Sequence, residues 1–233
     1  MASDKQDAGD GGAGPGGAAA AGEARGAAAK RPRSSTPGYG NGPDYWDDRY
    51  AKDPNPFEWL EGWAELEELI VEATGGRKDA DILHTGCGNS VLPEDMYDAG
   101  YRRIVNVDTS AVVIKQMADR NRELRPELQW LVADVTRMTE FADESFDAVL
   151  DKSVLDTMAC GENAPAVIDA YLRQVLRVLR PDGVMLCVSY SAPASRREYF
   201  RQPHLQFTLK EVLIPPRDTA ASKHYAYVLR KVA

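Results

Sequence analysis

The 233-residue chain has few of the residues that build metal, disulfide or membrane sites. It contains three cysteines and three histidines, and both sets are widely spaced. This spacing indicates neither a disulfide framework nor a zinc site, so we predict no metal and a reducing, cytoplasmic environment. No run of about 18 apolar residues occurs, which argues against a membrane span. Acidic residues near the start argue against a signal peptide.

The first 43 residues lack the large apolar side chains that a folded core requires. They contain 11 glycines and 11 alanines but no Val, Ile, Leu, Phe or Trp. Such a segment cannot bury enough apolar surface to offset its chain entropy. We therefore predict a disordered tail over 1–43 and one domain over 44–233. The run Lys30-Arg31-Pro32-Arg33 has the composition of a nuclear signal, although a solvated basic patch in the tail explains it more simply.

The predicted domain is acidic. The whole chain carries a formal net charge of −8, and the tail contributes five basic and four acidic residues, which leaves −9 for residues 44–233. An acidic surface fits a nucleic-acid backbone poorly, so we expect no nucleic-acid partner. A small ligand or a basic protein surface suits it better.

Helical patterns alternate with short apolar runs through this domain. Strands are predicted at 81–85, 103–107, 129–132, 146–150 and 184–190, and helices at 57–73, 93–98, 110–124 and 164–179. Alternation of this kind indicates a mostly parallel α/β sheet with helices on both faces. Two consecutive extended runs, 206–212 and 224–231, predict an antiparallel hairpin at one edge.

The strongest functional signal is a glycine turn after the first predicted strand. Gly86 and Gly88 lie in the string DILHTGCGNS at 81–90, and Asp108 ends the next apolar run. Glycines let the backbone approach a ligand, and an acid at this spacing accepts hydrogen bonds from ribose hydroxyls. The pattern predicts an adenosine site that includes Thr109. An ordinary turn and a helix-capping role for Asp108 are the alternatives.

Two positions distinguish between cofactors that carry adenosine. A dinucleotide site usually has a third glycine, where this chain has Val91. Asp134 and Val135 follow the third strand, where a carboxylate and an amide can pair with the edge of adenine. Both observations favour S-adenosylmethionine over NAD, although Asp134 as a surface acid is the alternative.

Aromatic and charged side chains complete the predicted site. Trp46, Tyr50 and Trp59 either pack the first helix onto the sheet or cover a sulfonium, because aromatic faces attract cations. Asp151 and Lys152 end the fourth strand, where ligands of such sheets bind. A surface ion pair between these two residues is the alternative.

These residues together resemble a group of class I S-adenosylmethionine-dependent methyltransferases that includes lysine methyltransferases of translation elongation factor 1-alpha. The similarity extends from about Tyr45 to Val232 and is carried by the strings YWDDRY at 45–50, GCGNS at 86–90 and DKSVLD at 151–156. The resemblance implies a seven-stranded Rossmann-like sheet that binds S-adenosylmethionine. The family often has Gly-Thr where this chain has Ser153-Val154, which affects the substrate entrance more than the cofactor site.

The resemblance also implies a role for each matching position. The residues that would contact the cofactor are Trp46, Tyr50 and Trp59 as its cover, Gly86 at the methionine part, Asp108 at the ribose, Asp134 and Val135 at the adenine, and Lys152 nearby.

We therefore predict a methyltransferase that acts on protein lysine. A lysine amine must be oriented and must lose a proton before it accepts a methyl group, and Asp151 and Asp156 are the candidate catalytic carboxylates for this step. The alternatives are a small-molecule methyltransferase with the same cofactor site, an NAD-dependent oxidoreductase, and a binding module that retains the fold without catalysis.

Overall fold

The computed structural model describes residues 42–216 and 222–232. The predicted tail lies outside this part of the chain, apart from its last two residues, which begin the first helix. None of the helices in these two ranges is both long and apolar enough to cross a bilayer.

Seven strands and seven helices occur within the described residues. The strands are β1 (Ile82–Thr85), β2 (Ile104–Asp108), β3 (Gln129–Val132), β4 (Phe146–Lys152), β5 (Leu179–Ser189), β6 (Phe207–Ile214) and β7 (His224–Lys231). The helices are α1 (Gly42–Lys52), α2 (Trp63–Thr74), α3 (Leu92–Asp98), α4 (Ala111–Asn121), α5 (Val154–Ala159), α6 (Ala164–Val178) and α7 (Pro193–Phe200).

The strands form one sheet in the order β3-β2-β1-β4-β5-β7-β6. Strands β1 to β5 run parallel to one another. Strand β7 is antiparallel to both β5 and β6. The predicted Rossmann-like sheet with an antiparallel edge pair is confirmed. The strand order reverses beside β1, so the loops after β1 and β4 diverge and leave a crevice at their carboxyl ends.

Each face of the sheet is covered by a different set of helices. Because side chains alternate along a strand, Ile82 and Leu83 enter separate cores. Ile82 packs with Leu66 and Ile70 of α2, whereas Leu83 packs with residues of α6 such as Leu172. Both sides of the central strands are therefore buried, which explains why their sequences are continuous apolar runs.

Strand β1 also carries the buried histidine His84. Its Nδ1 lies 3.2 Å from Oδ1 of Asn106 on β2. Burial, together with the nearby positive charge of Lys152, lowers the pKa of His84 to about 4. The folded protein therefore holds this imidazole neutral at physiological pH.

Two predictions about helices were wrong. The helix predicted over 57–73 begins at Trp63, because Leu60 has a φ of 63° and Glu65 accepts a hydrogen bond from the Gly62 amide to start the first turn there. Residues 53–62 instead form the α1–α2 loop. Helices α1, α5 and α7 have between 6 and 11 residues and were not predicted as helices.

We expect His84 to make the protein less stable in acid. The unfolded chain binds a proton at a pKa near 6.5 that the folded chain binds only near 4, so the free energy of unfolding falls as the pH drops through this window. Between pH 7.5 and pH 5, the wild type should lose about 2 kcal/mol more than the variant His84→Asn. Urea unfolding at both pH values measures this difference. Identical losses in the two proteins would contradict a buried neutral histidine.

Candidate functional site

A cavity of about 380 Å³ opens at the carboxyl ends of the central strands. This volume is in the range of small-molecule sites. The loops after β1, β2, β3 and β4 form one side, and α1 with the α1–α2 loop forms the other. The lining includes all ten predicted cofactor-binding residues, namely Trp46, Tyr50, Trp59, Gly86, Gly88, Asp108, Thr109, Asp134, Val135 and Lys152.

The glycine turn after β1 requires its glycines. Gly86 and Gly88 have φ values of 55° and 52°, in the left-handed region that favours glycine. A Cβ on Gly86 would lie 2.2 Å from Cγ2 of Val154, and one on Gly88 would lie 2.7 Å from the Tyr50 hydroxyl. The missing side chains therefore let α5 and α1 approach the turn, and leave backbone exposed to the cavity.

Asp108 joins this turn to the beginning of α4. Its Oδ2 accepts a hydrogen bond from the Gly88 amide at 3.0 Å, and its Oδ1 accepts one from the Ser110 amide at 2.9 Å. The side chain is only 6% exposed, and burial raises its pKa while these amide bonds oppose the shift. Ser110 is the N-cap of α4 and accepts a hydrogen bond from the Val113 amide. Asp108 thus both fixes the turn and borders the cavity.

Asp134 and Val135 lie where the chain leaves β3. Oδ1 of Asp134 accepts hydrogen bonds from the amide and hydroxyl of Thr136 at 2.9 and 2.6 Å. The carboxylate itself is mostly exposed at the rim, whereas Val135 is buried. This pair therefore offers an acceptor and a backbone amide at one end of the cavity.

The aromatic residues of α1 and the α1–α2 loop pack against neighbouring elements and line the cavity. The rings of Trp46 and Tyr50 stack at 5.9 Å, and Tyr50 packs against Val113 and Met117 of α4. The Arg49 guanidinium lies 5.2 Å from the centre of the Trp59 ring. The cluster therefore attaches α1 to the sheet and also forms an apolar wall of the cavity.

A carboxylate from the α1–α2 loop occupies the N-terminus of α3. Oε1 of Glu58 accepts hydrogen bonds from the Val91 amide at 2.5 Å and from the Ser90 hydroxyl at 2.7 Å. In a dinucleotide fold, the pyrophosphate binds at the N-terminus of the helix after β1. The Glu58 carboxylate already holds that position here. This contact argues against NAD more directly than the presence of Val91 in place of a third glycine does.

Lys152 and Asp151 do not pair with each other, so that alternative is wrong. Lys152 is 6% exposed and donates to Glu58 and to Ser90. Burial lowers the pKa of Lys152, and the Glu58 carboxylate partly offsets this. The pair links the α1–α2 loop to the end of β4.

Asp151 lies beneath the cavity and does not line it. Its carboxylate is 1% exposed and accepts the amides of Val154 and Leu155 at the start of α5. Burial raises the pKa of Asp151 to about 7, and the charge of Asp156 adds to the shift. The geometry therefore gives Asp151 a capping role, and Asp156 is the predicted catalytic carboxylate that reaches the cavity.

Other residues that line the cavity were not predicted as site residues. Thr157, Met158 and Cys160 lie on or directly after α5, and Tyr190 directly follows β5. Ser153 and Val154, which the resemblance associates with the substrate entrance, line the cavity as well. Glu58 was missed as well, since nothing in its local sequence indicates a partner 94 positions later.

Known proteins are similar to this chain in both sequence and fold. A family described as "Methyltransferase domain" matches residues 83–187. The EEF1A lysine methyltransferase 4 of Bos taurus is 34% identical over 176 residues, which is 71% of this chain and 68% of the relative. The eEF1A lysine and N-terminal methyltransferase of Homo sapiens is 42% identical over 149 residues. That match covers 63% of this chain, which spans about a fifth (21%) of the length of the human relative.

Solved structures show the same fold at low sequence identity. The N-methyltransferase NodS of Bradyrhizobium japonicum WM9, solved with S-adenosylhomocysteine, aligns with a TM-score of 0.58 and 18% identity over 79% of this chain and 92% of its own. A cyclase, SpnF, aligns with a TM-score of 0.63 and 15% identity over 82% and 97% of the two chains.

The fold and the match to the methyltransferase domain place the chain in the class of S-adenosylmethionine-dependent methyltransferases. Within that class, the chain belongs to the family that contains EEF1A lysine methyltransferase 4. The residues present fit the cofactor: the glycine turn leaves backbone open to the cavity, Asp108 borders it with a buried carboxylate, and the aromatic wall suits a sulfonium.

We expect Asp108→Ala to weaken the binding of S-adenosylhomocysteine by about 1–3 kcal/mol, because it removes a buried acceptor and leaves the Gly88 and Ser110 amides unpaired. Isothermal titration calorimetry measures the change. Asp143→Ala is a matched control, since that exposed carboxylate pairs with Arg177 away from the cavity. Equal affinity in the two variants would show that Asp108 only caps the turn.

Proposed function

We propose that the protein transfers a methyl group from S-adenosylmethionine to a lysine side chain of another protein. The observation that carries the proposal is a single cavity that joins a cofactor side, around Asp108, to an acceptor side with a carboxylate, Asp156. Two relatives are named as methyltransferases of eEF1A, which supports this elongation factor as the acceptor and the cytoplasm as the location.

The cofactor side provides a partner for each part of the ligand. We propose that Asp108 accepts hydrogen bonds from the ribose hydroxyls and that Asp134 and Val135 pair with the adenine edge. Gly86 and Gly88 would face the amino-acid part with backbone atoms, and Thr109 would border the ribose. When bound, the cofactor supplies an electrophilic methyl group on a positively charged sulfur, so the protein mainly positions and desolvates the reactants.

The charges around the proposed methyl position favour a cationic ligand. Lys152 borders the cavity, but its charge is offset by the Glu58 carboxylate, which lies within ion-pair contact. Trp46, Tyr50 and Trp59 would cover the sulfonium and exclude water from it.

On the acceptor side, Asp156 would attract a lysine side chain and accept a hydrogen bond from its amine. An acceptor amine must be neutral to attack, so the carboxylate would orient the nitrogen lone pair toward the methyl carbon. The apolar neighbours Val154 and Met158 suit the methylene chain of a lysine.

A methyl-transfer assay tests the acceptor. Purified eEF1A, incubated with the protein and methyl-tritiated S-adenosylmethionine, should gain label, and mass spectrometry of its peptides should place the methyl group on lysine. An eEF1A preparation with chemically acetylated lysines is the control and should gain none. Tight S-adenosylhomocysteine binding without label in eEF1A would contradict this acceptor, and label in small metabolites of a cell extract would favour the small-molecule alternative.

A further inference from the structure

Asp156 is held in the cavity wall by an arginine from a distant helix. Arg196, on α7, places Nη2 at 2.8 Å and Nε at 3.2 Å from Oδ1 of Asp156. The arginine is only 8% exposed. A buried guanidinium is costly unless it is paired, so this contact strongly favours one arrangement of the two side chains.

The remaining contacts of Asp156 fix the plane of its carboxylate. Oδ2 accepts a hydrogen bond from the Tyr190 amide at 2.8 Å, whereas Arg196 donates to Oδ1. The Ser189 hydroxyl donates to Oδ1 and also lies 3.3 Å from Nε of Arg196. With both oxygens anchored in this way, the carboxylate is held against rotation.

The same network positions the rim of the cavity. Tyr190 follows directly after β5, and its side chain is 60% exposed between the cavity and a neighbouring surface groove. Because Asp156 binds the Tyr190 amide, any shift of the carboxylate also moves the backbone that carries this ring. Arg196 therefore helps to set the positions of the Asp156 carboxylate and the Tyr190 ring, two groups that an acceptor side chain would meet.

We infer that Arg196 is a positioning residue for methyl transfer, which holds Asp156 in the orientation that accepts a hydrogen bond from the acceptor amine. This inference rests on the proposed function. In the reaction, the acceptor ammonium first loses one proton to solvent water. The nitrogen lone pair then forms the new N–C bond, and the electron pair of the broken C–S bond remains on sulfur.

Helix α7 offers a matched control. The adjacent Arg197 forms a bidentate pair with Glu211 of β6 at 2.8 and 2.7 Å, away from Asp156. Phe200 of the same helix is buried in the core, so α7 keeps its attachment when either arginine is changed. Arg197→Gln therefore removes a comparable charge pair from the same helix and leaves the cavity intact.

The test compares Arg196→Gln, Arg196→Lys and Arg197→Gln in methyl transfer to eEF1A. We expect kcat of Arg196→Gln to fall about 100-fold. A displacement of about 1 Å in a group that positions the reactants can slow a reaction by this factor. The KM for eEF1A and the Kd for S-adenosylhomocysteine should stay within about threefold of the wild-type values. The substitution keeps the contacts that bind both ligands equally in the ground state and in the transition state. Arg196→Lys should recover part of kcat, and Arg197→Gln should match the wild type.

Each other outcome contradicts a specific claim. If Arg196→Gln retains the kcat of Arg197→Gln while the wild type methylates lysine, the positioning inference is wrong and the proposed function stands. If the wild type binds S-adenosylhomocysteine but methylates no lysine of eEF1A, the proposed function fails and this inference fails with it. If Arg196→Gln does not fold, Arg196→Lys is compared with Arg197→Gln instead. Equal kcat values for these two variants would overturn the inference.

Discussion

The site depends on one buried carboxylate, that of Asp108, which ties two separate turns together at the border of the cavity. Through the Gly88 and Ser110 amides it fixes the glycine turn after β1 relative to the start of α4. The parallel sheet supplies the other half of this constraint, because it brings the carboxyl ends of β1 and β2 to the same edge. Tyr50 can then pack onto both the turn and α4, which closes the wall of the cavity.

The chain uses its own side chains at the helix N-termini that face this edge. Glu58 occupies the start of α3, and Asp151 accepts the first amides of α5. At α4, Asp47 accepts the Val112 amide at 3.1 Å, while Ser110 accepts the Val113 amide. These three helix ends are the positions at which a phosphate would bind, and each is satisfied by the protein. A ligand that carries adenosine and a positive charge, without a phosphate, fits such an edge better than a dinucleotide does.

The sequence predicted the central fold, and the ten residues it predicted to bind the cofactor all line one cavity, because both depend on local patterns. Buried parallel strands are continuous apolar runs, and a turn with φ near 55° requires glycine at Gly86 and Gly88. The surroundings of Asp151, Lys152 and Asp156 were predicted less well, since their contacts are between distant residues. Asp151 and Lys152 are adjacent in sequence, but successive strand residues face opposite sides of the sheet, so one lies beneath α5 and the other meets Glu58. Arg196 lies 40 positions from Asp156, and no local pattern indicates that pair.

The central claim is that the cavity binds the adenosine and sulfur ends of the cofactor between Asp108 and the aromatic wall. A crystal structure of the protein with S-adenosylhomocysteine tests it most directly. We predict ribose hydroxyls within hydrogen-bond distance of Asp108, adenine beside Asp134 and Val135, and sulfur directed toward Asp156. A ligand bound elsewhere, or one whose ribose does not contact Asp108, would contradict this account.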